Sequence, residues 1–383
     1  MKTTIRKAAT CLLAAGLALT VTASPASAGG RHAGIQRVLE QAVADGTTPG
    51  IIAEVRDGDG RWFGAEGVAD TGTGRERHRQ DRFRIGSTTK AFTSTVVLKL
   101  VAEGRLSLED SVEKWLPGVV RGNGNDGAAI TVRQLLNQTS GLFAYTLDPA
   151  WIDAYFSPNY PEHQYEHYRP GDLVAIAMTH PPLYAPGTSW NYSNTNFVLA
   201  GMIIEKVTGR SYADEVTRRI LRPLGMSATY VPGDETVIRG PHGRAYSTLW
   251  QGPTAERHDV TDMDASWGRA AGDMVSTTGD LQTFFRALLG GRLLPPALLE
   301  EMLTTIPTDG KGWLEDRGYG LGIVAHKLPC GVTAWGNGGM IHGSWTYAMG
   351  SKDGSRMVVS NINGDWGDAL AVFTAELEAE LCP

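Results

Sequence analysis

The chain has 383 residues, 42% of them apolar and 20% charged, with a net charge of −6. That length and composition fit one large domain or two intimate ones around a sizeable core, and neither a repeat nor a low-complexity linker divides the chain. The basic residues form no block able to track phosphates, which excludes nucleic-acid binding as a function.

Residues 1–28 read as a secretion signal: a basic head of Lys2, Arg6 and Lys7, an apolar run over about 8–21, and the small-residue cleavage site Ala26-Ser27-Ala28. Cleavage after Ala28 leaves 355 residues and takes the net charge from −6 to −9. The apolar run is too short for a durable membrane span and no later stretch is long enough. Cys11 lacks the small-residue context of a lipid-anchor site, so the expectation is a secreted, extracellular protein without a membrane anchor. A helix is predicted over 35–44, then strands over 50–56 and 62–69.

Next comes Arg84-Ile85-Gly86-Ser87-Thr88-Thr89-Lys90-Ala91-Phe92. From Ser87 to Glu103 the apolar residues Phe92, Val96, Leu100 and Val101 have helical spacing, and Gly104 ends the run. Residues three apart share a helix face, so the Ser87 hydroxyl and the Lys90 amine can meet. A serine needs a base to become a nucleophile, and a desolvated lysine can serve as one. Ser111-Val112-Glu113-Lys114 has the same spacing but sits in an acidic segment and reads as a surface helix turn.

The middle of the chain, 105–265, is rich in helical patterns and loops. Gly122-Asn123-Gly124-Asn125-Asp126-Gly127 matches G-x-G-x-x-G, yet follows no strand and opens no helix; it reads as a mobile loop. His163-Gln164-Tyr165-Glu166-His167 fits the zinc pattern H-x-x-E-H, but Pro158, Pro161 and Pro170 leave room for at most two helical turns. No metal and no organic cofactor is expected. His242-Gly243-Arg244 reads as a structural loop.

Trp190-Asn191-Tyr192-Ser193-Asn194 supplies a second chemical group. A phenol near an ammonium can gain acidity and relay a proton, and an asparagine can both donate to and accept from a substrate amide. Strands return over 332–335, 344–350 and 356–361, with a turn at Ser351-Lys352-Asp353-Gly354, and a helix closes the chain over about 368–381. Cys330 and Cys382 form an even pair, read as a disulfide in an exported protein, with two buried thiols as the alternative.

Together the Ser87 and Tyr192 motifs resemble those of the serine β-lactamase and DD-peptidase superfamily, most nearly its secreted DD-carboxypeptidases. Leu135-Leu136-Asn137-Gln138-Thr139-Ser140-Gly141-Leu142, Ser266-Trp267-Gly268-Arg269-Ala270-Ala271-Gly272 and Gly318-Tyr319-Gly320-Leu321-Gly322 extend the likeness in order, and the Cys330/Cys382 arrangement is shared. The resemblance implies an α/β fold. An antiparallel sheet flanked by helices is built from both termini (29–104 and 266–383), with an all-helical domain (105–265) between them. It also implies that Ser87 is acylated, with Lys90 and Tyr192 sharing base and acid duties. Asn194 would hold the acyl side, Trp267 would line the cleft, and the N–H groups of Ser87 and Met340 would stabilise the oxyanion.

The third family motif, Lys or His, then Thr or Ser, then Gly, aligns here with Asn337-Gly338-Gly339, and the position of a carboxylate-binding arginine aligns with Val324. The core chemistry is intact while the group that holds a free substrate carboxylate is lost. The expected activity is therefore that of a serine hydrolase or acyltransferase. Its substrates would be small peptides, amides or esters with a D-amino-acid-type acyl part, with an amine as a possible acyl acceptor. The alternatives are a D-alanyl-D-alanine carboxypeptidase anchored by Arg269, His326 or His342, and a β-lactam-acylated binding protein with little turnover. Trp190 is a further candidate for the cleft wall.

Overall fold

The computed structural model describes residues 30–58 and 60–383. The leader expected over 1–28, with cleavage at Ala28, lies outside them. Nine strands form one antiparallel sheet: β1 (Gly50–Asp57), β2 (Gly60–Asp70), β3 (Arg75–Glu76), β4 (Ile306–Pro307), β5 (Arg317–Tyr319), β6 (Val324–Lys327), β7 (Thr333–Ile341), β8 (Ser344–Gly350) and β9 (Arg356–Ile362). Their spatial order is β4-β5-β6-β7-β8-β9-β1-β2-β3. The two ends of the chain therefore meet between β1 and β9, where Ile51 pairs with Ile362 and Asp57 with Arg356.

Five helices cover the sheet or position the site: α1 (Ala33–Ala44), α2 (Thr89–Ala102), α3 (Asn194–Thr208), α4 (Thr278–Leu289) and α5 (Ala369–Leu381). Successive residues of a strand face opposite sides of the sheet, and β1 is apolar on both. Ile51, Ala53 and Val55 pack with Leu39 of α1 and Phe373 and Leu377 of α5, while Ile52 joins the larger core on the other side. There α4 covers the sheet, and its Gln282 amide donates to the Glu54 carbonyl at 2.6 Å and to that of Met357 at 3.0 Å. Helix α2 is enclosed on every side: Ala91, Phe92, Val96, Val97, Leu98 and Leu100 are all fully buried, with Phe92 stacked on Phe284 at 3.7 Å.

Three expectations need correction. The 105–265 part is not all-helical, because Tyr246–Ser247 pairs with His258–Asp259 and Arg121–Gly122 with Asn125–Asp126. The strand expected over 332–335 runs on to Ile341, so Asn337-Gly338-Gly339 is strand rather than loop. Its glycines conceal the strand from propensity arguments. The Gly122–Gly127 segment is no mobile loop. Arg121–Gly122 pairs with Asn125–Asp126 in a hairpin, and the Asn123 and Asn125 amides donate to the Met178 and His180 carbonyls at 2.7 and 2.8 Å. The second Ser-x-x-Lys copy is a surface turn in which Ser111 caps Val112–Trp115 and Lys114 pairs with Asp110 at 2.6 Å. Cys330 and Cys382 are bonded, with Cα atoms 6.1 Å apart, which ties the loop after β6 to the end of α5.

Under α5, Glu376 is buried with only a Ser360 hydroxyl donating to it at 2.9 Å. Burial pushes its carboxyl up to about 8. A folded-state pKa above the ordinary value contributes stability at low pH that is lost as pH rises through it. Glu376→Gln keeps the shape without the charge. Thermal unfolding should show its stability relative to the parent rising between pH 5 and pH 9 by on the order of 4 kcal/mol.

Candidate active site

Ser87 sits in a single 3-10 turn, Gly86–Thr88, that feeds directly into α2. Two glycines let β7 pass against that turn. Gly86 has φ +50°, and a Cβ there would lie 2.5 Å from the Met340 carbonyl oxygen. A Cβ on Gly339 would lie 2.1 Å from the Ile85 oxygen and 2.5 Å from the Ser87 nitrogen. Side chains at either position would push the strand away from the serine.

One helical turn on, Lys90 is completely buried. Its Nζ lies 2.9 Å from Ser87 Oγ, 2.7 Å from Asn194 Oδ1 and 2.7 Å from the Ala271 carbonyl. Desolvation pushes its pKa well below the usual lysine range. Three acceptors suit an ammonium, but among the described residues no carboxylate pairs with Nζ, and burial without a counter-charge disfavours the charged form. In the neutral amine the two N–H groups match the two carbonyl oxygens, which leaves the lone pair for Ser87.

Tyr192 lies just ahead of the N-cap of α3, and its hydroxyl donates to Ser87 Oγ at 2.7 Å. Burial raises the Tyr192 pKa above the ordinary phenol value, against the smaller, lowering effect of its hydrogen bond to Ser87. The segment is held by Gln138. Its backbone carbonyl accepts from Asn191 N at 3.1 Å, and its Oε1 accepts from Ser193 N at 3.0 Å and from the Asn196 amide at 2.6 Å. Asn194 is thereby oriented with Oδ1 on Lys90 and Nδ2 toward Thr146 Oγ1 at 3.4 Å.

Ser87, Tyr192 and Asn194 open onto a cavity of about 530 Å³, within the usual range of small-molecule sites. Trp267, Asn337, Gly338, Gly339 and Met340 also line it, as does Val324. The Asn337 side chain is already engaged: it donates to the Gly322 carbonyl at 2.9 Å and accepts from Gly338 N at 2.8 Å. Among the described residues, no lysine, arginine or carboxylate lines this cavity.

The three proposed replacement cations do not supply one either. Arg269 is turned away from the cavity onto the Tyr168 carbonyl and His167. His326 is buried behind the wall, 3.2 Å from the Tyr347 hydroxyl, with its pKa pushed down to about 3. His342 does border the cavity, but it donates from Nε2 to the Tyr155 carbonyl at 2.6 Å, and burial lowers its pKa to about 4. Both histidines are neutral near pH 7.

Sequence reasoning missed Trp313, Trp345 and the apolar Leu147, Ile152 and Phe156, which complete the walls. Trp313 stacks on Tyr192 at 5.6 Å. Trp190 is not in the cavity wall; it is buried behind, packed on Trp313 and Tyr319. Isolated aromatics carry no periodic signal that distinguishes core from cleft. His163 pairs with Glu166 at 2.8 Å and His167 with Asp264 at 2.9 Å, so the two histidines of the zinc-like pattern serve different partners.

The Beta-lactamase family model matches residues 35–381. Among solved structures, a D-stereospecific amidohydrolase from Streptomyces sp. is 52% identical with a TM-score of 0.85, covering 92% of this chain and 98% of that one. D-amino acid amidase from Ochrobactrum anthropi SV3, complexed with L-phenylalanine amide, is 28% identical with a TM-score of 0.78, covering 90% and 97%. Penicillin-binding protein 4* of Bacillus subtilis (strain 168) is 28% identical over 291 residues, 73% of this chain. The chain spans 60% of the length of that curated relative.

The contact between β7 and the serine turn is directly testable. Gly339→Ala should cut the rate at which Ser87 is modified by an activated phosphonate at least tenfold, read by intact mass against time.

Proposed function

The chain belongs to the Beta-lactamase family, and from that premise we propose that it is a secreted serine amidase and esterase. It acts through a Ser87 acyl-enzyme on substrates whose acyl part is a D-amino acid or a short D-peptide. The observation that carries this reading is the uncharged cavity around Ser87, with Val324 where a carboxylate anchor would stand. Charge-assisted hydrogen bonds contribute roughly 1.5–3 kcal/mol each, and among the described residues this cavity offers a free carboxylate no cationic donor. Amides, esters and internal peptide bonds present neutral groups at that place. The likeness to a D-stereospecific amidohydrolase and to a D-amino acid amidase supports both the amide and the D-configuration.

Neutral Lys90 takes the Ser87 proton as Oγ attacks the substrate carbonyl carbon. The developing oxyanion is met by the N–H groups of Ser87 and Met340, donors of a kind worth about 3–4 kcal/mol. Asn194 Nδ2 donates to the acyl side of the substrate. As the C–N bond breaks, the Tyr192 phenol gives its proton to the leaving nitrogen, and the Lys90 ammonium restores it. Water, or an amine acceptor, then attacks the Ser87 ester with the same base. No metal or organic cofactor enters the reaction. The cleft between the sheet-bearing parts (29–104 and 266–383) and the helical part (105–265) receives the substrate.

Steady-state turnover of an N-acyl-D-Ala-D-Ala amide or methyl ester should exceed that of the free acid at least a hundredfold in kcat/KM, about 2.7 kcal/mol. Ser87→Ala serves as the blank. Val324→Arg should narrow that ratio by improving the free acid; faster turnover of the free acid by the parent enzyme would overturn the reading.

A further inference from the structure

On the far side of His342 from the active-site cavity lies a second, much smaller cavity. It leaves about 20 Å³ for the centre of a water-sized sphere, room for one such species. Arg77, Arg82, Arg84 and Arg244 all line it, and no carboxylate does. Arg244 pairs with Asp259 at 3.2 Å, and Arg77 has Asp81 at 3.9 Å. Among the described residues, neither Arg82 nor Arg84 has a carboxylate within 4.0 Å.

Arg84 is the decisive group. It is 3% exposed. Its Nη2 donates to the Thr236 and Met263 carbonyls, the latter at 3.0 Å, but Nε and Nη1 are buried with no partner. A buried, permanently charged guanidinium is costly unless a counter-charge or further hydrogen bonds meet it. Asp262 and Asp273 act on it only from a distance. Two buried acceptors, His342 Nδ1 and Asn363 Oδ1, also lack partners at this cavity, and they would favour a water over an anion. Arg82 donates to the Arg239 carbonyl at 2.7 Å, and Arg77 donates to the Gly50 carbonyl at 3.2 Å and to Asn361 Oδ1 at 2.7 Å, which leaves Arg84 as the buried guanidinium with neither a carboxylate nor a full set of acceptors. Four arginines against no lining carboxylate among the described residues leave the wall with an excess of positive charge, which favours an anion over water.

We propose that this cavity is a binding site for one monatomic anion, chloride being the natural occupant, held between Arg84 and its neighbouring arginines. The volume excludes phosphate-sized oxyanions. Arg84 lies three residues before Ser87, and its carbonyl accepts from the Ser344 hydroxyl on β8 at 2.8 Å. An ion on the Arg84 guanidinium would therefore sit beside the residue that already joins the serine turn to β8. This site is independent of the substrate reading above.

The test is a salt series on the full chain at constant ionic strength, exchanging gluconate for chloride or bromide. Thermal unfolding should rise saturably by about 3 °C in either halide, and Arg84→Gln should abolish the dependence. Crystals grown in bromide should show an anomalous peak beside Arg84, a result that stands even if Arg84→Gln fails to fold. A bromide map without that peak, or stabilisation by halide no greater than by gluconate, would overturn the proposal and assign the cavity to water.

Discussion

The arrangement depends on burying one amine. Lys90 sits at the start of an all-round buried helix, where its Nζ meets Ser87 Oγ and two carbonyl-type oxygens but no carboxylate. Desolvation lowers its pKa well below the usual lysine range, the direction that favours the neutral amine the proposed mechanism needs. Every neighbouring feature serves that geometry. Ala271 supplies an oxygen from the segment beside Trp267. Asn194 supplies the other, oriented by Gln138 through the Tyr192 turn. Tyr192, its pKa raised by burial, donates a hydrogen bond to the same serine.

The second constraint is close approach. Strand β7 must run against the Ser87 turn, which admits no side chain at Gly86 or Gly339. That contact brings Met340 beside Ser87 and carries Asn337 into the cavity wall with its amide already bound to Gly322. The family motif is thus replaced by residues that build the wall and bring no charge to it. Arg269 and the two buried histidines leave that wall neutral, because each is engaged by backbone or side-chain partners elsewhere.

Much of this was legible in the sequence. Apolar patterning and turn signals placed α1, β1, β2, α2 and the final hairpin within a few residues of their observed bounds. Ser87, Lys90, Tyr192 and Asn194 were singled out as chemistry-bearing types at workable spacing, and the structure brings them together. What was hidden has physical causes. Glycine in β7 erased the strand signal because the close approach, rather than propensity, sets those residues. The burial that raises the Tyr192 pKa arises from contacts that no local pattern displays. The aromatic wall of Trp313 and Trp345 and the role of Gln138 arise from contacts distant in sequence.

The most direct test is the protonation state of Lys90 itself. Lysine labelled with 13C at Cε can be titrated by NMR in the free enzyme, with the Lys90 signal assigned by its loss in Lys90→Arg. The account predicts a resonance that titrates well below the ordinary lysine range, leaving a neutral amine where the enzyme works. A Lys90 signal that titrates with the surface lysines, near 10.4, would contradict it.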